Sequence, residues 1–209
     1  MKINSPKILP KLEIIESIKV VMDDGFVSHG YFENTVIDEE GIREFDGCRF
    51  KNVQFFLAKD HRISFVDCHF DHCEIANLTL ANISILRCEF IECKCTGLEI
   101  IESYMKDVRF EHCLMTYMNF SKTKTDHLLF EENDLSYGSF NDMKIKGIEF
   151  KNNDLTRCEF FFTSLNGVDL RTNTIEGIAI TLNDLKGAIV DTFQAINLSR
   201  LLGIIVKED

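Results

Sequence analysis

The residues most able to bind a metal cluster between Cys68 and Cys73, where the chain reads Cys-His-Phe-Asp-His-Cys. Thiolates and imidazoles are the ligands of tetrahedral zinc sites, but such a site requires its side chains to converge on one point. A second candidate is Cys93 and Cys95. These have one residue between them, whereas a redox Cys-x-x-Cys motif has two. Whether either group has a function therefore depends on which way each residue faces.

A five-residue repeat between Phe50 and Leu185 decides that question. Every fifth position is apolar at 26 of 28 sites, and the exceptions are Asp60 and Thr125. A period of five is neither the 3.6 of a helix nor the 2 of a half-buried strand, so the backbone must turn an equivalent corner in every unit. Four corners close a coil of about 20 residues, and successive coils would stack about 4.8 Å apart, as paired strands do.

Positions one coil apart then form columns of like residues, which is typical of a solenoid. One column is Phe in every coil from Phe50 to Phe150. A second inward column, two residues before the central one in its unit, reads Val53, Cys73, Cys93, Cys113, Asn133, Asn153 and Asn173. The register places Cys68 and Cys73 inside and the two histidines of that cluster outside. We therefore expect no metal site, and we expect the cysteines to be small, inert core residues.

The repeat resembles that of the pentapeptide-repeat proteins, whose unit is an inward Phe or Leu with a small residue two positions before it. The resemblance implies an all-β fold, a right-handed quadrilateral β-helix, over residues 45–187. Residues 1–44 hold both prolines and no clean period. We expect them to form an N-terminal cap with irregular first coils. Proline has no backbone N–H, so within the repeat it would remove a hydrogen bond between neighbouring coils. Residues 188–209 would form a C-terminal dimerisation segment.

That segment predicts a short helix followed by a short strand. Asp191 or Thr192 would cap the helix, and Gly203 would end it in the left-handed conformation. Residues 204–206 would form the strand. The apolar stripe of the helix, formed by Phe193, Ile196, Leu198, Leu201 and Leu202, must be buried against the last coil and a second copy, because a helix this short is marginal alone.

Two segments narrow the resemblance to the Qnr quinolone-resistance proteins of the Gram-positive type. They are residues 191–206, which look like the Qnr dimerisation tail, and residues 103–107 followed by 110–113. The resemblance implies a homodimer and, as partners, DNA gyrase, topoisomerase IV or both. The expected dimer contacts are Leu198, Leu201, Leu202, Ile204 and Ile205.

Proteobacterial Qnr proteins carry two loops near the positions of Asp60 and Thr125. Here the five-residue count stays in register across both positions, so we expect no inserted loop. We do expect both residues to mark local irregularity, with Asp60 turned out of the core, because a charge or hydroxyl in an apolar slot needs a partner or water.

The charge distribution is the remaining functional signal. The net charge is −11. This argues against direct binding of nucleic acid, which needs a basic footprint. The outward residues beside the Phe column, here called the acidic strip, hold 11 acids and 5 bases, whereas the rest of the repeat holds 10 acids and 9 bases. The acids expected to face a partner are Asp71, Glu74, Glu92, Glu111, Glu131, Glu132, Asp134 and Asp154; the others are Glu89, Glu149 and Asp169.

Two functional hypotheses follow. The first is a DNA-mimicking protein that binds type II topoisomerases and protects them from quinolones. The second is a scaffold or interaction protein with another partner, in which the strip is only a solvated face. No phosphate-binding loop or catalytic triad appears, so we expect neither an enzyme nor a cofactor. No apolar run is long enough to span a membrane, and no signal peptide begins the chain, so we expect a cytoplasmic protein.

Overall fold

Parallel strands stacked at a fixed sequence offset form the architecture of this chain. The computed structural model describes residues 2–16, 23–38, 41–57 and 62–207. Phe50 pairs with Phe70, Phe90 with Phe110, and Phe110 with Phe130, so four five-residue units make one coil. The predicted all-β solenoid is confirmed. Asp60, which we expected to turn out of the core, lies outside the described residues.

The strands are β1 Glu13–Ile14, β2 Phe26–Ser28, β3 Gly30–Glu33, β4 Val36–Ile37, β5 Glu44–Asp46, β6 Arg49–Lys51, β7 Gln54–Phe55, β8 Ser64–Val66, β9 His69–Asp71, β10 Thr79–Ala81, β11 Ser84–Ile91, β12 Glu99–Ile101, β13 Tyr104–Glu111, β14 Lys124–Glu131 and β15 Lys144–Lys151. The largest sheet contains β11, β13, β14 and β15 as consecutive neighbours. The later coils continue through isolated parallel bridges such as Asp154 to Thr174.

The first coils are shorter than the later ones. In later coils the paired residues are 20 apart in sequence. Val27 and Phe45 are two residues closer than this, and Glu13 and Gly30 are three residues closer. The full offset is reached where Phe45 meets Phe65. The apolar period is therefore obscured before residue 45 although parallel pairing is already present there.

The corners are turns that require a left-handed residue. At one corner the Cys158 amide donates to the Leu155 carbonyl at 3.1 Å, and Arg157 has φ of 57°. A positive φ at the third residue is the signature of a type II turn. Most of these corner residues are not glycine, and most of their side chains project into solvent at equivalent points of successive coils, although Asp67 and Asp107 are buried.

Stacked phenylalanine rings fill the interior. The ring centroids of Phe70 and Phe90 are 4.3 Å apart, and those of Phe90 and Phe110 are 4.6 Å apart, with nearly parallel planes. Phe110 is fully buried. Offset stacking at this distance is favourable beyond simple area burial, so the column acts as a continuous core.

Thr125 is not irregular, and that expectation is wrong. It lies within β14, paired with Met105 and Ile145, and its side chain is buried. Threonine is β-branched and suits a strand. The hydroxyl nevertheless lacks the partner that we expected it to need, because the Thr125 hydroxyl oxygen is buried without a hydrogen bond.

The C-terminal end contains two short helices, α1 Leu182–Leu185 and α2 Thr192–Ser199, and a 3₁₀ turn Arg200–Leu202. Asp191 caps α2 through a capping box with Gln194, and Gly203 is left-handed with φ of 74°, as expected. The strand predicted at residues 204–206 does not form. A strand needs a neighbour to accept its backbone hydrogen bonds. Ile205 is instead 84% exposed.

Candidate functional site

The eight acids expected to face a partner lie around one corner of the rod. Asp71, Glu111 and Glu131 stand on the outer side of β9, β13 and β14. Glu92 and Glu132 occupy the left-handed corner itself, with φ of 52° and 57°. The remaining three, Glu74, Asp134 and Asp154, begin the next face, where parallel bridges join Asp134 to Asp154. None of the eight is buried.

Basic side chains neutralise part of this surface. Arg109 reaches Glu111 at 2.6 Å and Glu131 at 3.1 Å, so one guanidinium serves two of the strip's carboxylates. Lys151 and Arg171 pair with Glu149 and Asp169 in the same way. The residue count predicted the net charge of the strip, but it could not show that most of its bases are bonded to its own acids.

Two histidines stand between carboxylates on the same corner. His72 Nδ1 lies 2.6 Å from Asp71, and its Nε2 lies 2.9 Å from Glu92. His112 Nδ1 lies 3.2 Å from Glu132. The hydrogen bond that His72 donates to the Asp71 carboxylate, assisted by the charge of Glu92, raises the pKa of His72 above its ordinary value. The corner column therefore alternates imidazole and carboxylate: His72, Glu92, His112, Glu132.

Asp134 and Asp154 have no cationic partner within the described part of the chain. Each accepts a hydrogen bond from its own turn, Asp134 from the Ser136 amide and hydroxyl and Asp154 from the Thr156 amide. With Glu132 they line a polar surface groove of about 540 Å³. Asp134 and Asp154 are therefore, like Glu74, acids of the site that no cationic side chain of the described residues pairs with.

The cysteines face inward, as expected from the register. Cys68 and Cys73 are fully buried while His72 is exposed, and all eight cysteines are unpaired thiols. Burial raises the pKa of the Cys158 thiol to about 12, so the thiol stays protonated and donates to the Leu135 carbonyl at 3.0 Å. Within the described ranges, no group of three or more His, Cys, Asp or Glu residues is arranged to hold a metal ion.

The small inward residues also have a role that the spacing did not reveal. Many of them donate a hydrogen bond to the carbonyl oxygen of a central residue in the preceding coil. Cys113 donates to Phe90 at 3.3 Å, Asn153 to Phe130 at 3.0 Å and Thr163 to Phe140 at 2.6 Å. A buried carbonyl must be paired, so this slot favours small side chains that carry a donor.

Gln194 closes this column at the C-terminal end. Its side chain is buried, and Nε2 donates to the carbonyls of Leu170 and Asn173, both at 2.8 Å. Its Oε1 accepts from the Asp191 amide. The sequence pattern predicted that α2 docks through an apolar stripe, yet Phe193 of that stripe is 78% exposed. The polar contact of Gln194 could have been suspected from its position three residues after the cap.

The N-terminal segment crosses the coils along a different corner. Asn4 donates to Asp107 at 2.8 Å, and the Lys7 amide donates to Asp67 at 2.9 Å. Burial alone would raise the pKa of the Asp67 carboxyl, but hydrogen bonds from Arg87 and the Lys7 amide lower it below its usual value. These partners satisfy two carboxylates that are buried at this corner.

The residues expected to form the dimer lie at the C-terminal end, with differing exposure. Leu198 packs partly against the core, whereas Leu201, Leu202, Ile204 and Ile205 are exposed. Leu198 and Leu202 line an apolar groove of about 300 Å³ between α1 and α2. None of the helices in the described residues is long and apolar enough to cross a bilayer.

This geometry defines a class: a parallel β-solenoid with a corner every five residues and a donor column beside an aromatic core. The family model described as a pentapeptide repeat region matches residues 63–140 and 83–160. The same coil geometry continues beyond the matched residues at the C-terminal side, where Asp169 still bridges Ile189 one coil away. Over residues 63–160 the chain is therefore similar to the pentapeptide-repeat proteins.

Solved structures of this kind include a trypsin-treated variant of QnrB1, a plasmid-mediated fluoroquinolone resistance protein. It is 21% identical to this chain, and the match covers 90% of this chain and 94% of the QnrB1 chain, with a TM-score of 0.33. HetL from the cyanobacterium Nostoc sp. strain PCC 7120, involved in the regulation of heterocyst differentiation, is 10% identical. It covers 79% of this chain over 87% of its own, with a TM-score of 0.26. No curated protein matches the sequence significantly.

Proposed function

We propose that this chain is a DNA-mimicking protein that binds type II topoisomerases, DNA gyrase or topoisomerase IV, and protects them from quinolones. The observation that carries the proposal is the gathering of the eight acids around one corner of a rigid rod. The resemblance of residues 191–206 to the Qnr dimerisation tail supports the choice of partner.

The charge density of the strip sets the strength of that attraction. The strip has a net charge of −6, from 11 acids and 5 bases. Over seven coils this corresponds to about one charge per 5–6 Å, roughly a third of the density of duplex DNA. Attraction to a basic saddle is long-ranged and is screened over about 8 Å at physiological salt. Binding should therefore weaken as salt rises.

A homodimer formed through the exposed C-terminal residues would extend the rod. Leu201, Leu202, Ile204 and Ile205 present an apolar end to a second copy. The helix α2 has too little buried surface to be stable alone. Light scattering of the full chain at micromolar concentration tests the dimer directly. A monomer at that concentration would contradict it.

The functional test is supercoiling by purified gyrase in ciprofloxacin, with and without this protein. The protein should restore supercoiling, and the charge-reversed variant Glu111→Lys, Glu131→Lys, Glu132→Lys, Asp134→Lys should not. None of these side chains is buried, so the variant should fold, and far-ultraviolet circular dichroism checks that it does. A lysine is also accepted at such a corner, since Lys122 occupies an equivalent left-handed position at φ of 58°.

The matched control reverses four acids on the far side of the rod: Glu99, Glu102, Asp142 and Glu159. It changes the total charge equally but leaves the strip intact, so it should protect as well as the original chain. Equal protection by both variants would mean that the strip is only a solvated face. No protection by the original chain would reject the proposed function.

The pairing of strip acids within the protein favours the second hypothesis, a scaffold with a partner other than a topoisomerase. Arg109 already satisfies Glu111 and Glu131, which lowers the charge offered to any partner. A pull-down with gyrase and with topoisomerase IV separates the two hypotheses, because the scaffold binds neither.

A further inference from the structure

We infer that the corner column His72, Glu92, His112, Glu132 is a proton-controlled switch that sets the charge of the acidic strip. The inference rests on the proposed function for the identity of the partner, but the switch itself is a property of this column. A basic partner would be held more tightly at pH 8 than at pH 6.

The contacts of His72 carry the inference. Both ring nitrogens face carboxylate oxygens, Nδ1 that of Asp71 at 2.6 Å and Nε2 that of Glu92 at 2.9 Å. A neutral imidazole has only one N–H, so one of these two contacts would oppose a lone pair to a carboxylate. Only the imidazolium donates to both. Lys51 in the preceding coil is the charged group that opposes protonation.

His112 repeats the arrangement two coils further on. Nδ1 lies 3.2 Å from Glu132, and Nε2 lies 3.7 Å from Glu111. Arg109, which pairs with the same Glu111, is the nearby cation. Glu92 shares the corner column between the two histidines, so both imidazoles lie in the same short run of acids.

The structure also explains why protonation changes the outer surface rather than the core. The side chain of His72 is about half exposed, at 52%, so it exchanges protons with solvent without unfolding a coil. The proton adds one positive charge beside the acids that a partner would contact. At a separation of about 6 Å in water, one unit charge changes affinity about threefold.

The test is binding of tetramethylrhodamine-labelled nona-arginine to the full chain by anisotropy at pH 6, 7 and 8 and constant ionic strength. The peptide keeps its charge over this range, so any change arises from the protein. Affinity for the original chain should rise up to about threefold from pH 6 to pH 8. The variant His72→Asn, His112→Asn should change less than twofold and match the original chain at pH 8.

Asparagine is the right replacement because it tolerates the left-handed conformation. It already occupies equivalent corners at Asn52, Asn82 and Asn152. The control His29→Asn alters an exposed histidine at another left-handed position, with φ of 59°, and should keep the full pH dependence. An equal pH dependence in the original chain and the double variant would overturn the inference.

The gyrase assay at pH 7 and 8 separates this inference from the proposed function. A pH-dependent affinity for the peptide with no protection of gyrase at either pH would reject the topoisomerase partner and leave the switch standing. Protection by the original chain, together with a peptide affinity that does not depend on His72 and His112, would reject the switch and leave the function standing.

Discussion

Replacing Asn153 by Ala should be among the most destabilising single changes in the later coils. Asn153 is buried, its Nδ2 donates to the Phe130 carbonyl and to Asn173 Oδ1, and its Oδ1 accepts from the backbone and side chain of Asn133. Alanine leaves three buried groups without partners: the Phe130 carbonyl, the Asn133 amide and one Asn133 Nδ2 hydrogen. At about 1–3 kcal/mol for each unpaired group, with losses not fully additive, we expect about 4 kcal/mol.

The matched control is Cys93→Ala, in the same column three coils earlier. Cys93 supplies a single weak thiol donor, 3.4 Å from the Ile91 carbonyl and 3.7 Å from that of Phe70. Its loss should therefore cost only about 1 kcal/mol. Asn153→Asp should be at least as harmful as alanine, because a carboxylate cannot donate to the Phe130 carbonyl.

Urea unfolding followed by far-ultraviolet circular dichroism measures all three variants. A lowered m value would show that some coils fray before the rest unfold. Asn153→Ala could lower the free energy of unfolding by less than about 1.5 kcal/mol, or by no more than Cys93→Ala does. The hydrogen bonds of this column would then add no stability, and its side chains would only fill space in the core. The reasoning from unpaired groups would then be wrong.

Three further changes test other parts of the fold. Phe110→Ala removes a fully buried ring stacked on two neighbours. Denaturant melts should show a loss of about 3–5 kcal/mol. Thr125→Val removes a buried hydroxyl that has no partner. The same melts should show a gain of about 1 kcal/mol, and a loss would mean that the hydroxyl is paired. His72→Asn should remove a pH dependence, because the pKa of His72 is raised in the folded state. Its contribution to stability is complete below the unfolded pKa and is lost as pH rises through the raised value, as thermal melts between pH 5 and 9 would show.

Much of the fold follows from one physical rule, that apolar side chains recur wherever the backbone faces the interior. The rule predicted the Phe column, the repeating coil and the inward cysteines, because each depends only on burial. It failed at Thr125, where β-propensity and shape outweighed one unpaired hydroxyl. The rule also missed the first coils. Paired residues there are two or three residues closer in sequence than in a full coil, so the fixed period of five does not apply.

The candidate site was less predictable because charges act through distances that the sequence does not contain. The five-residue period showed which residues belong to the acidic strip. The double contact of Arg109, the position of His72 between two carboxylates and the isolation of Asp134 with Asp154 all depend on side-chain conformation. The strand predicted at residues 204–206 failed for a related reason, since a strand is defined by a neighbour that local sequence cannot name.

Because the coil that Gln194 contacts is the last one, the number of coils can change without any change in the way α2 docks. The two carbonyls that Gln194 covers belong to Leu170 and Asn173, and every earlier full coil offers equivalent atoms. Deleting or duplicating one whole coil would therefore shorten or lengthen the molecule by about 4.8 Å and leave the same surface for α2. Such a chain can be lengthened in steps of one coil while its C-terminal end stays unchanged.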